Sequence, residues 1–188
     1  MNGGNGKILI AIVVVLIAIA AVLVLGWGKG GATTSTTPGA KPGTTAAKPA
    51  DLVPKTLAGF DVANQDMNYK STFAGEEAAA VTSFKPAAGS KYLNKVEHLT
   101  VYVHLFKDSK SAATVATALA AGTSAVERDV SGVKYKLNSK STGEIILYSQ
   151  KGNYLAYAFV KPTATAGFAD TAVIQDAVIL GFSAVKLP

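Results

Sequence analysis

An uninterrupted apolar run near the amino terminus constrains this chain more than any other feature. Residues 8–25 read ILIAIVVVLIAIAAVLVL and contain no charged or polar side chain. A helix of that length spans about 27 Å, which is enough to cross the hydrocarbon core of a bilayer. Lys7 and Lys29 bracket the run and Trp27 follows it, so these side chains can contact the headgroup region. We therefore predict a transmembrane helix over residues 8–27, preceded by a short segment, residues 1–7.

Two other interpretations of this run stay open. A cleaved signal peptide has an apolar region of about 7–15 residues and a small-residue cleavage site, whereas this run is longer and Gly26-Trp27-Gly28-Lys29 follows it. Gly6-Lys7, directly before a long apolar helix, resembles the processing site of type IV pilin-like precursors. That resemblance implies loss of residues 1–6 and packing of the helices in a filament core. The acidic residue common early in bacterial pilin helices is missing here.

The segment after the apolar run has the composition of a flexible linker. Residues 28–50 read GKGGATTSTTPGAKPGTTAAKPA and contain no large apolar side chain that could join a core. We predict a disordered tether over residues 28–54, with an end-to-end distance of roughly 25–30 Å. Threonines beside prolines resemble O-glycosylated stalks, and a plain spacer is the alternative. Because such tethers are commonest outside the cytoplasm, we predict a cell-membrane protein with a cytoplasmic N-terminus and an extracytoplasmic domain over residues 55–188.

Charge and cysteine content exclude several classes of function. The net charge is +6, but all 12 acidic residues and 14 of the 18 basic residues lie in residues 51–188, which therefore carry only +2. A nucleic-acid-binding domain would cluster Lys and Arg on its folded part, so we predict no nucleic-acid partner. The absence of cysteine excludes disulfides, Cys-ligated metals, thiol nucleophiles and lipidation at a cysteine.

Hydrophobic periodicity in the folded part indicates strands and one early helix. In Val96–Phe106 the odd positions from Leu99 to Leu105 are all apolar, and the even positions from His98 to Phe106 carry histidines, aromatics and a threonine. Period two places these sets on opposite faces of a sheet. A helix should follow, capped by Asp108 or Ser109 and ended by Gly122; its small apolar stripe comprises Ala112, Val115, Ala116 and Leu119. Residues 77–84 suit a further strand, with a helix as the alternative because of their alanines.

Two hairpins and a final helix complete the predicted order. Val126–Val130 and Val133–Leu137 flank Ser131-Gly132 and form a regular hairpin pattern. Residues 144–149 and 154–160 form a second, whose turn is either Lys151-Gly152 or Gly152-Asn153. Residues 168–180 are apolar nearly all round and should form a buried helix ended by Gly181. The prediction is an α+β fold: a two-layer α/β sandwich with a mainly antiparallel sheet and both helices on one face.

The sequence contains no catalytic or metal-binding signature. His98 and His104 share a strand face but lie roughly 20 Å apart along an extended strand, too far to hold one ion. Nucleotide-binding glycine motifs and a G-x-S-x-G nucleophile motif are absent from the sequence. Glu76-Glu77 is the best pair of carboxylates, and adjacent residues there suit a strand end. We predict no enzyme activity, no cofactor and no metal; the alternative is an enzyme whose site is built from scattered polar residues.

One group of aromatic residues suggests a binding surface. The even positions of the Val96–Phe106 strand, together with tyrosines on other strands, could form an exposed aromatic face, and tyrosine is favoured at interfaces. The alternative is that a helix or the N-terminal segment covers these rings as core. The predicted function is a membrane-anchored accessory or binding module, or a small subunit of a larger membrane or envelope complex. Its predicted partners are the bilayer, through residues 8–27, and other membrane or envelope proteins. The candidate interaction residues are His98, Tyr102, His104, Phe106 and Tyr148.

Overall fold

A computed structural model describes residues 46–120, 126–130, 133–139 and 144–188. The predicted transmembrane helix, most of the predicted linker and Gly122 lie outside these residues. Within them the helices are α1 (Pro49–Leu52), α2 (Ser109–Ala120), α3 (Thr171–Ser183) and a 3₁₀ helix (Phe168–Asp170). The strands are β1 (Phe60–Tyr69), β2 (Glu76–Pro86), β3 (Val96–Phe106), β4 (Val126–Val130), β5 (Val133–Ser139), β6 (Ile145–Lys151) and β7 (Tyr154–Pro162).

All described strands join one antiparallel sheet in the order β1-β2-β3-β7-β6-β5-β4. Strands that follow each other in the chain are paired, except that β3 pairs with β7 and not with β4. The chain between β3 and β7 contains α2, β4, β5 and β6. β3 and β7 are therefore central, whereas β1 and β4 form the edges. An antiparallel sheet packed against helices is an α+β fold, as the sequence predicts.

The strand registers follow the predicted patterns closely. β3 has the predicted bounds, and β2 confirms the strand expected over residues 77–84. In the first hairpin Val130 pairs with Val133 and Val126 with Leu137, as predicted. The second hairpin pairs Lys151 with Tyr154, so Gly152-Asn153 is its turn. Gly152 has a φ of +58°, a conformation that favours glycine, which explains why the turn starts there.

The two long helices lie on opposite faces of the sheet. α3 packs on the first face, where Leu99, Val101 and Val103 of β3 are fully buried with Val178. α2 packs on the second face, where its predicted stripe contacts Phe106 and Leu155. The predicted two-layer arrangement with both helices on one face is therefore wrong. The physical reason is that β3 and β7 carry large apolar side chains on both faces, so each face needs a cover.

The end of α3 also differs from the prediction. The helix continues through Gly181 to Ser183, so Gly181 does not end it. A Cβ on Gly181 would lie 3.0 Å from Leu99 Cδ2 and 3.2 Å from Val101 Cγ2. The glycine is therefore explained by the close approach of α3 to β3.

The folded part includes the last residues of the predicted linker. Residues 49–52 form α1, and Val53 is buried in the core beneath the first face. The Tyr154 hydroxyl donates a hydrogen bond to the Ala47 carbonyl oxygen at 2.8 Å. The edge strand β1 has no counterpart in the predicted order, because it is exposed along most of its length and carries strand-poor Asp and Asn residues.

Among the described residues, each helix is too short or too polar to cross a membrane.

Candidate binding face

The second face of the sheet carries a dense group of aromatic side chains. From β3 come His98, Tyr102, His104 and Phe106, at alternate positions. The paired positions of β7 and β1 add further rings, because directly paired residues share a face. These additional rings are Tyr69, Tyr157 and Phe159.

His104 lies at the centre of this group and is fully buried. Its Nδ1 contacts Oε2 of Glu76, and since a carboxylate only accepts hydrogen bonds, Nδ1 carries the hydrogen. Its ring stacks on Tyr157, with centroids 5.4 Å apart and planes 8° apart, and Phe73 packs beside it. Nε2 is buried without a hydrogen-bond partner among the described residues. His104 is therefore held as part of the fold.

Glu76 joins His104 to the loop between β1 and β2. Its carboxylate also accepts hydrogen bonds from the Ser71 backbone N–H, at 3.0 Å, and from the Ser71 hydroxyl. Burial alone would raise the pKa of Glu76, but the hydrogen bonds from His104 and Ser71 outweigh it and lower the pKa. The Phe73 N–H in turn donates to Ser71 Oγ, which fixes Phe73 against His104.

The Ser71, Glu76 and His104 side chains do not form a nucleophilic triad. A serine nucleophile needs a histidine directly beside its hydroxyl, with the carboxylate behind the histidine. Here the carboxylate stands between the other two, and the Ser71 hydroxyl donates to it. The arrangement therefore clamps a loop. Within the described residues, no group of three or more His, Cys, Asp or Glu side chains could hold a metal ion.

The structure divides the five candidate residues into two sets. His104 and Phe106 are fully buried and Tyr148 is 4% exposed, so none of these three can present an exposed surface. α2 covers Phe106, and Phe73 packs against His104. Tyr102 and His98 are partly exposed. This half of the face is therefore covered and belongs to the core, which is the alternative given in the sequence analysis.

The partly exposed rings form what we call the open aromatic surface. It consists of Tyr69, His98, Tyr102, Tyr157 and Phe159. Tyr102 and Tyr157 stack with centroids 4.5 Å apart, Tyr69 meets Tyr102 edge to face at 5.7 Å, and His98 lies 5.8 Å from Phe159. Tyr157 and Phe159 lie on one side of β7 because they are two residues apart, and the strand order brings them next to β3.

The pKa values of three residues of this surface shift toward the neutral form. Burial raises the pKa of Tyr102, and burial together with the nearby tyrosines raises the pKa of Tyr157 well above its usual range. Burial likewise lowers the pKa of His98. The surface therefore offers flat rings with polar tips.

Comparisons with known proteins found no matching family model, curated protein or solved structure.

Proposed function

We propose that this chain is a membrane-anchored extracytoplasmic accessory or binding module, a small single-pass subunit of a larger membrane or envelope complex. Its folded domain binds a partner protein through the open aromatic surface. The observation that carries the proposal is the stacked and partly exposed pair Tyr102–Tyr157 at the centre of the sheet. The apolar run of residues 8–25 supports the membrane anchor.

The rings of this surface are ordered before any partner arrives. Tyr102 is held between Tyr69 and Tyr157, and all three lie on strands of one sheet. Binding to preordered side chains avoids much of the entropy that is otherwise lost at an interface. Tyrosine also buries a large area while its hydroxyl keeps a polar contact. These properties favour a protein interface.

Charge argues for a protein partner and against nucleic acid. Lys161 is paired with His98 across β3 and β7 and forms an ion pair with Glu97 at 2.7 Å. Asn64 and Asp66 flank the surface on β1. The side chains that the structure describes around the surface therefore form no cluster of lysine or arginine. Sequence-tolerant binding of single strands combines aromatic stacking with a basic groove that follows the phosphates. The open aromatic surface supplies rings for stacking but no basic groove among the described residues.

The test is the native mass of the full-length protein, extracted from its own membrane in mild detergent, with identification of its subunits. We expect a fixed stoichiometry with at least one other protein. Tyr102→Ser and Phe159→Ser should release that protein. Val62→Ser should not, because Val62 is 41% exposed on the opposite face. Far-UV circular dichroism of each variant confirms that the sheet is retained.

Two outcomes contradict the proposal. A chain that runs alone at about 19.2 kDa plus detergent excludes a stable complex. A high-mass homopolymer that lacks residues 1–6 instead supports the pilin-like filament subunit suggested by Gly6-Lys7.

A further inference from the structure

Phe168 is a large apolar side chain that the fold holds in water. It is 96% exposed at the start of the 3₁₀ helix. The backbone around it is nevertheless fixed: the Gly167 N–H donates to Asp170 Oδ2 at 3.0 Å, and the Thr171 hydroxyl donates to the Phe168 carbonyl at 2.8 Å. Asp170 is also paired with Lys95 at 3.5 Å. The fixed backbone thus holds the Phe168 ring in a position where it can fill a pocket of a partner, as the anchor residues of protein interfaces do.

The same domain carries an open groove beside α3. Its volume is about 410 Å³, and Tyr92 forms its fixed wall. The Tyr92 ring stacks on Phe60 at 4.5 Å, and its hydroxyl donates to Asp176 Oδ2 at 2.7 Å. The remaining lining residues are Ala58, Gly59, Ser90, Lys91, Asp176 and Leu180.

The groove suits a phenyl ring. A cavity of about 150 Å³ already holds benzene in a protein interior, so a groove of about 410 Å³ has room for one ring and its stem. Ala58, Leu180 and the face of Tyr92 supply apolar contacts. The Lys91 ammonium lies 5.2 Å from the Tyr92 ring centroid, which places a cation where it can also contact an incoming aromatic ring.

We propose that Phe168 inserts into this groove on a second copy of the chain. The groove residues Asp176 and Leu180 lie about 8 and 14 Å along α3 from its first residue, and Phe168 comes three residues before that point. Asp170, next to the ring, pairs with Lys95, and Asp176, in the groove, pairs with Lys91 of the same β2–β3 loop, so ring and groove lie on one flank of the domain. Two copies related by a two-fold axis can therefore make both contacts at once, each ring in the other's groove.

The charges around ring and groove fit an identical partner better than an anionic lipid surface. Lys91 pairs with Asp176 at 2.7 Å, Lys95 with Asp170 at 3.5 Å and Lys161 with Glu97 at 2.7 Å. Because each of these three lysines is already paired with a carboxylate, two copies can approach without strong repulsion between like charges. The same pairing leaves little positive charge to attract a negatively charged bilayer.

Cysteine cross-linking of the full chain in its own membrane tests this contact, because the natural chain contains no cysteine. One copy carries Ala169→Cys, beside the ring, and a second copy with a larger tag carries Ala58→Cys, in the groove. We expect at least five times more mixed cross-linked dimer from this pair than from Ala169→Cys with Ala63→Cys. Ala63 is an exposed residue of the β1 edge and serves as the matched control.

Phe168→Ser tests the inserting ring itself. On both copies it removes both ring–groove contacts, so it should reduce cross-linking of the Ala169→Cys and Ala58→Cys pair to the level of the control pair. On one copy it leaves one of the two contacts, so the yield should lie between these limits and, by the two-fold symmetry, should be similar whichever copy carries it. Equal yields from both cysteine pairs, or a yield that Phe168→Ser on both copies does not reduce, overturn the proposal.

Discussion

Replacing Glu76 by alanine removes the group that joins β2, β3 and the β1–β2 loop. Its carboxylate accepts hydrogen bonds from the Ser71 N–H, the Ser71 hydroxyl and His104 Nδ1. His104 is fully buried, and among the described residues its Nε2 has no hydrogen-bond partner. Without Glu76, its Nδ1 loses its partner as well. Phe73, which packs on His104, also loses the support that Ser71 gives it.

The expected cost follows from these contacts. Hydrogen bonds to a charged group contribute about 1.5–3 kcal/mol each, and their losses do not add. Leaving the buried Nδ1 of His104 without a partner costs about 1–3 kcal/mol. The Glu76 side chain is 8% exposed, so water can partly replace it. We therefore expect Glu76→Ala to lower the free energy of unfolding by about 3 kcal/mol, the upper end of the value for a single hydrogen bond to a charged group.

Urea unfolding of the full-length protein in mild detergent, followed by near-UV circular dichroism of the stacked tyrosines, measures this cost. With an m-value of about 2 kcal/mol/M, the midpoint should fall by about 1.5 M. Glu77→Ala is the matched control, because Glu77 is the adjacent exposed glutamate, and its effect should stay within about 0.5 kcal/mol. Equal midpoints for the two variants would refute the reasoning.

Two further predictions concern pH and the packing of α3. The pKa of Glu76 in the folded protein lies below its ordinary value of 4.5, so its carboxylate stabilises the fold above that pH and the contribution is lost as the pH falls through the folded-state pKa. The stability difference between the wild type and Glu76→Gln should therefore shrink below about pH 4.5 in urea titrations; a difference that stays constant down to low pH contradicts this. Gly181→Val should cost about 1–3 kcal/mol because its Cβ would crowd Leu99 and Val101. Gly167→Val, where no atom lies within 4 Å of the new Cβ, should be nearly neutral, and similar thermal unfolding of both variants would contradict the close approach.

Much of the sheet could be predicted because strand periodicity is a local signal. The alternation over Val96–Phe106 gave the bounds of β3, and the Ser131-Gly132 spacing gave the register of the β4–β5 hairpin. The turn of the second hairpin stayed ambiguous, because both choices place a glycine in the loop. The structure distinguishes them by its register, because Lys151 pairs with Tyr154 and so lies in the strand.

The parts that could not be predicted depend on contacts distant in sequence. β1 is an exposed edge strand, so no apolar alternation marks it. The sequence shows that α2 and α3 each have an apolar side, but not which face of the sheet each covers. This is why the burial of Phe106 beneath α2 and the exposure of Tyr102 could not be separated. The pairing of β3 with β7, which creates the Tyr102–Tyr157 stack, joins residues 55 positions apart.

The opposite placement of the helices explains why only part of the second face is open. α3 and α1 pack on the first face. On the second face α2 packs at the Phe106 end of β3. The rings at the other end of β3 and β7 remain partly exposed. Partial cover of an aromatic sheet face leaves an open surface of limited size.

Labelling of a single introduced cysteine tests most directly whether that surface is occupied in the membrane. Asn64 is paired with Ser83 and so lies on the second face, about 10 Å and two strands from β3. Val62, on the first face of the same strand, is the control. We expect a membrane-permeant maleimide to label Asn64→Cys at least ten times more slowly in intact membranes than in the purified chain, with Val62→Cys unchanged. Equal rates for Asn64→Cys in both preparations would contradict a partner bound at the open aromatic surface.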